Sequence, residues 1–256
     1  MKAIVLAAGY ATRLYPLTLT VAKPLLPVGG RPMVDHLLDR IGELGDVDTV
    51  HVVTNGKFAA SFDAWAAGRA GVVVHDDGTT TEDDRLGAVG DIAFVVERAG
   101  LGGHDLLVVA GDNLFDYSLA DYVAWWRAKG EASAVAIRDV GDPALVRKYG
   151  VVALGDDDRI VSFEEKPAEP RSTLAATATY LFHRAHVPLF RRYMDEGRSP
   201  DQPGSFVAWL VDRAPVYGYR FEGDWRDIGD ERQLLEADNR LRALAGLPQR
   251  DRYTPD

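Results

Sequence analysis

The chain contains no cysteine. That absence excludes disulfides, thiolate nucleophiles and cysteine-ligated zinc or iron–sulfur centres together, and it suits a reducing compartment. No apolar run approaches the roughly 18 residues a membrane helix requires. The opening stretch, MKAIVLAAG, has one lysine before an apolar run too short for a signal peptide. These absences predict a soluble, cytoplasmic protein with no membrane partner. Cations are in deficit, 29 Lys and Arg against 39 Asp and Glu, for a net charge of −10. Such a surface argues against a nucleic-acid partner, whose phosphates call for a basic face. It leaves room for a small phosphorylated ligand held by a few local cations. Two phosphate fingerprints are missing as well: no Gly-Lys-Ser/Thr closes a P-loop, and no G-x-G-x-x-G marks a dinucleotide fold. An oxidoreductase is thereby disfavoured.

What is present is an alternation. Apolar runs at 3–7, 49–54, 72–75 and 106–110 have the length of buried strands. Segments 35–43, 58–69, 88–99 and 119–129 lie between or after them and carry helical spacing, as with Leu37, Leu38 and Ile41. Strand then helix, repeated, predicts a parallel sheet covered on both faces. Gly9, Asn55 and the Gly111-Asp112 pair fall just past strand ends, where ligands bind in open α/β sheets. The second half changes rhythm. Strand-like runs at 133–138, 149–153, 160–163, 177–182 and 216–221 outnumber helical ones at 186–196, 205–213 and 230–244. The Asp156-Asp157-Asp158 run after Gly155 reads as a turn. No repeat or linker divides the halves, so 1–248 is expected to be one domain with halves 1–130 and 131–248, and 249–256 a loose polar tail.

The richest segment is LAAGYATRLYPLT at 6–18, followed by KPLLPV at 23–28. A strand runs into a turn of small residues, where backbone N–H groups can approach a phosphate closely. Arg13 and Lys23 add fixed positive charge. An ordinary strand–loop–helix junction with exposed cations would look similar from this segment alone.

The segment resembles the signature of the sugar-1-phosphate nucleotidylyltransferases, L-A-G-G-x-G-T-R-L-x-P-L-T then K-P-x-x-P-V. The resemblance continues, in order, through Gly111-Asp112-Asn113, Tyr149-Gly150-Val151-Val152, Phe163-Glu164-Glu165-Lys166-Pro167 and Trp225-Arg226-Asp227-Ile228-Gly229. It implies a Rossmann-like mixed, mostly parallel sheet with helices on both faces and a smaller β-rich acceptor-side subregion. The halves become a nucleotide half and an acceptor half. The implied reaction is attack of a sugar-1-phosphate oxygen on the α-phosphorus of an NTP, releasing pyrophosphate. That nucleophile is an anion near neutral pH, its second pKa being about 6. It needs charge neutralisation and in-line positioning rather than a general base.

The resemblance also implies roles. Arg13 and Lys23 would be catalytic. Leu6, Ala8, Gly9, Ala11, Thr12, Arg13, Gly87 and Asp112 would meet the nucleotide. Gly150, Glu165, Lys166 and Thr177 would meet the acceptor, and Asp112 with Asp227 would hold Mg²⁺, a normal carboxylate set for that ion. For each carboxylate a helix N-cap is the competing explanation. A homo-oligomer is compatible with the sequence. Three departures stand out. Ala11 replaces the second glycine of the signature. The family's P-x-G-L-A-Q-A segment is absent, and a longer acidic stretch, 76–91, stands in its place. The T-G-x-Y near the sugar reads Thr177-Ala178-Thr179-Tyr180. Base and acceptor therefore stay open. So do two alternatives: a cytidylyltransferase for a non-sugar phosphate or phosphonate, and a non-catalytic nucleotide-binding homologue. Trp209 and Trp225 could wall an acceptor pocket or belong to the core. His183 and His186 read as structural.

Overall fold

The computed structural model describes residues 1–255. In chain order the first half contains β1 (Lys2–Leu6), β2 (Pro27–Val28), β3 (Arg31–Pro32), α1 (Met33–Gly42), β4 (Val50–Thr54) and α2 (Ala59–Ala66). It continues with β5 (Val72–Asp76), α3 (Ala88–Arg98), β6 (Leu106–Ala110), β7 (Asn113–Phe115) and α4 (Leu119–Arg127). The second half contributes β8 (Ser133–Asp139), α5 (Pro143–Val146), β9 (Gly150–Leu154), β10 (Ile160–Glu165) and β11 (Leu174–Phe182). It ends with α6 (Leu189–Asp195), α7 (Pro203–Val211), β12 (Val216–Arg220), β13 (Trp225–Asp227) and α8 (Glu231–Leu244).

Strands β5-β4-β1-β6 lie side by side and parallel. The first three therefore run outward from β1 in one direction, and β6 starts the other way. The break between β1 and β6 is a topological switch point, and it opens a crevice at the strands' carboxyl ends. Strand β11 pairs antiparallel to β6 at one end and to β9 at the other, while β8 pairs along it and β12 runs parallel beyond β8. The change of neighbour falls at a register shift between Ala176 and Tyr180, where Ala178 takes φ of 52°. A bulge of this kind bends a strand and re-aims its side chains. Beyond it β9, with β10 at its outer edge, joins β11 of the same sheet through Ala175 opposite Val151.

Alternation along β1 explains the two cores. Ile4 points to one face, with α3, α6 and α7; Ala3 and Val5 point to the other, with α1, α2 and α4. Both faces being covered, the central strands are apolar throughout, as LLVVA in β6. A third, smaller cluster joins α8 to the signature segment through Leu14, Leu26, Val28, Ile228 and Leu234. No helix of the described residues is long and apolar enough to cross a membrane.

The tail departs from the sequence reading. Tyr253 is buried in this third cluster and donates its hydroxyl to the Pro27 carbonyl at 2.8 Å. Asn239 of α8 binds residue 250 in both directions, through Arg250 N–H and the Arg250 carbonyl. The polar composition of 249–256 hid one aromatic anchor.

Candidate active site

Two clefts open at the switch point and share Ala110, Asp112, Ala178, Gln202 and Pro203. The first, of about 470 Å³, is lined by the 6–13 turn, Lys23, Gly87, Asp91 and Asp112. The second, of about 190 Å³, is lined by Tyr149, Gly150, Glu165, Lys166, Trp225 and Asp227. The expected nucleotide residues thus surround one space, and three of the four expected acceptor residues surround the other.

The turn after β1 is held from outside. Asn55 donates to the Ala8 carbonyl at 2.8 Å, and Thr18 donates to the Ala11 carbonyl at 2.8 Å. Ala11 sits in the left-handed region, φ 49° and ψ 45°, which explains a glycine in the family pattern. Gly87 precedes α3 with φ of 77°, and an added Cβ would lie 2.6 Å from the Pro200 carbonyl oxygen. Backbone and space both demand glycine there.

Two short strands unmarked by any periodicity bring the carboxylates together. β13 pairs antiparallel with β7, Asp227 opposite Asn113, and the Ile228 N–H binds the Asp112 carbonyl at 3.2 Å. Neither aspartate caps a helix; Asp230 caps α8 instead. Lys23, buried at the start of a 3-10 turn, donates to Asp112 Oδ2 at 2.6 Å. Burial alone would raise the Asp112 pKa, but the Lys23 ammonium and the Asn113 amide outweigh it and hold this carboxyl below its ordinary value. Among the described residues, Asp227 has no such partner. Burial first, and the Asp112 charge second, push it up to about 6 against the pull of Lys23, Arg13 and Lys166. Two carboxylates so placed form a site that gains from an added cation. Arg13 is exposed, beside Gly229 at the rim.

In the second cleft, Glu165 lies against two glycines. An added Cβ would sit 3.2 Å from its Oε2 at Gly150 and 2.0 Å from it at Gly204. Burial raises the Glu165 pKa, with Lys166 opposing. Gln202 was invisible to motif reading. With its amide turned to suit both neighbours, the nitrogen donates to Glu165 Oε1 at 2.6 Å and the oxygen accepts from Lys166 Nζ at 3.1 Å. Just before it, the Pro200 and Asp201 carbonyls accept from Val89 N–H at 2.8 Å and Ala88 N–H at 3.3 Å of α3. One segment thus touches both clefts. Thr177 is the misplaced residue. It is fully buried, and its hydroxyl donates to the Ala136 carbonyl of the neighbouring strand β8 at 2.9 Å. Its neighbours Ala176 and Ala178 line the second cleft in its stead. Trp225 lines that cleft, with Tyr149 edge-on at 4.9 Å. Trp209 is core, donating to Glu196 at 2.9 Å.

Residues 2–243 match the family described as Nucleotidyl transferase, and the chain belongs to that family. Its relatives include thymidylyl-, uridylyl- and guanylyltransferases of sugar 1-phosphates. The glucose-1-phosphate thymidylyltransferase of Streptomyces griseus is 30% identical over 94% of this chain and 66% of its own. The mannose-1-phosphate guanylyltransferase of Mycobacterium tuberculosis is 32% identical over 97% of this chain and 67% of its own. A crystal structure described as a glucose-1-phosphate thymidylyltransferase from Bacillus anthracis, in complex with a sucrose, superposes with a TM-score of 0.78 at 25% identity, covering 94% of this chain and 95% of that one. The chain spans between about half and two thirds of the length of the curated relatives it matches.

Proposed function

We propose that the protein couples an NTP to a sugar-1-phosphate, forming an NDP-sugar and pyrophosphate. One observation carries the reading: two clefts of different character meet at Asp112, with Lys23 and Asp227 at the junction. In-line transfer needs donor and acceptor on opposite sides of one phosphorus, with positive charge beside it.

The 8–13 turn would present backbone N–H groups to the triphosphate. Arg13 and Lys23 would meet the charge that builds on its oxygens. Asp112 and Asp227 suit Mg²⁺, because two carboxylates with phosphate oxygens and waters make a normal shell for a hard cation. Bound there, the ion would neutralise developing charge on the α-phosphate and leaving group. Lys166 would hold the acceptor phosphate as a compact cation. Glu165 would accept hydrogen bonds from sugar hydroxyls, and Gly150 would let the ring approach the backbone. No covalent intermediate or general base is required.

The names of the relatives span thymidylyl, uridylyl and guanylyl transfer, so kinship does not choose the base. The test is pyrophosphate release from five NTPs against a panel of sugar-1-phosphates with Mg²⁺. Turnover with none would overturn the proposal. The aromatic corner of Tyr149 and Trp225 favours one second reading, a phosphocholine-type acceptor held by its cation over a ring. Phosphocholine belongs in the same panel.

A further inference from the structure

Five non-glycine residues among those described take a positive φ, where a Cβ crowds the backbone and glycine alone sits without strain. Asp157 and Asp158 belong to the turn after β9. The other three line the clefts: Ala11 the first, Lys166 the second and Ala178 both. Strained backbone persists where its surroundings hold it, and it gathers at functional sites. Lys166 has a charge to place. Ala178, at φ of 52°, has only a methyl group to offer.

That methyl packs with the apolar cluster of Phe163, Ala176 and Tyr180, and those three residues line the second cleft. Cβ is therefore on the cleft face of β11. Ala178 is also one of the residues that the two clefts share, with Asp112 and Gln202. It thus forms part of the wall where donor and acceptor meet. Space is short on the acceptor side. The second cleft holds about 190 Å³, below the roughly 300–1,000 Å³ of an ordinary small-molecule pocket. A single methyl group at the shared wall counts in so small a volume.

A sugar 1-phosphate carries its phosphate on C1. For transfer that phosphate must stand at the junction of the clefts, so C1 is the ring atom nearest the shared wall. C1 has two ring neighbours. One is the ring oxygen, which carries nothing. The other is C2, whose substituent is the first bulk that the wall meets. Resting on the transferase reading above, we propose that the Ala178 methyl sets the class of acceptor, admitting a hydroxyl at C2 and excluding an acetamido group.

The test compares wild type with Ala178→Gly on glucose and mannose 1-phosphates and on their 2-acetamido counterparts. Pyrophosphate release with each of five NTPs gives kcat/KM. Calorimetry with the NTPs but without Mg²⁺ gives acceptor binding apart from turnover. Wild type should favour the better hydroxy sugar over its acetamido counterpart by roughly 10–200-fold, the range for a misfit of one methylene. Ala178→Gly should cut that ratio by about tenfold, by admitting the acetamido sugar, and should move the KM for NTP far less. It should melt at or above the wild-type temperature, because glycine takes this backbone conformation at no steric cost. A wild type that takes the acetamido sugars as readily as the hydroxy sugars would overturn the inference. An unchanged ratio in Ala178→Gly would overturn it too, since the methyl would then serve the fold alone. A ratio that appears in binding and shrinks in the variant, with no turnover by either protein, would keep the inference and defeat the transferase reading. If wild type neither binds nor turns over any of the four sugar phosphates, both fail.

Discussion

At the scale of single residues, the Lys23–Asp112 pair shows how one contact can serve both stability and chemistry. Lys23 is 7% exposed and Asp112 keeps its charge because the ammonium lies 2.6 Å away. Removing the lysine strands a half-buried carboxylate, its side chain 33% exposed, a change that costs a fraction of the roughly 3–5 kcal/mol of a fully buried one. Lys23→Ala should therefore lose activity and lower the urea midpoint together. Adding Asp112→Asn should restore most of the midpoint, because the stranded charge is gone, yet restore no activity. A double variant no more stable than the single one would show that the pair contributes nothing to the fold. Both residues were legible as motif members, but their contact across 89 positions was not. Thr177 failed for a related reason. A motif names a residue type, whereas the pleat decides its face, and here Ala176 and Ala178 face the second cleft while Thr177 between them does not.

Elements were legible where periodicity was long. The central strands and α1, α3, α4 and α8 fall within a few residues of the alternating pattern. β7 and β13 were not, since three residues carry no period, and they exist only because each supplies the other's hydrogen bonds. Those two strands hold Asp112 and Asp227 together, so the least visible elements matter most to the site. The pair β4–β5 carries a different signal. His51 and His75 are both buried, with ring nitrogens 2.9 Å apart. Burial first, then the His75 charge, lower the His51 pKa to about 4; burial and Arg98 lower that of His75. The folded state therefore refuses a proton that the unfolded chain takes up below its ordinary value near 6.5. The stability is fully present above pH 6.5 and is lost as pH falls towards 4, by on the order of 3 kcal/mol for His51. A His51→Val, His75→Val double variant should flatten that acid limb of the stability curve. Thermal melts between pH 7 and 4.5 that remain parallel for both proteins would refute the assignment.

At the scale of the whole molecule, chain segments distant in sequence close on the site from two sides. One is the C-terminal stretch. Tyr253 packs with Leu26, Val28 and Leu14 beneath the signature turn, so ending the chain at residue 248 should lower the melting temperature by several degrees. An unchanged melting temperature would return 249–256 to the status of a loose tail. The other is the segment 200–203, which no motif announced because its contacts are backbone carbonyls and one amide. It caps α3 beside the nucleotide cleft and holds Glu165 and Lys166 in the acceptor cleft. The two halves are thus joined through Gln202. Lys166→Ala removes the acceptor's cation and should raise the KM for the sugar phosphate strongly, the KM for NTP little. Gln202→Ala leaves both charges but frees them to pair directly, their present separation being 3.8 Å. It should raise the acceptor KM by about tenfold, the scale of one charge-assisted hydrogen bond. Combining the two should cost less than the sum, because the amide then has nothing left to position. Steady-state kinetics with each substrate varied in turn decides the matter. A strictly additive double variant, or a Gln202→Ala effect that falls on NTP instead of the acceptor, would mean that Gln202 acts on the nucleotide half and that the clefts are coupled by some other route.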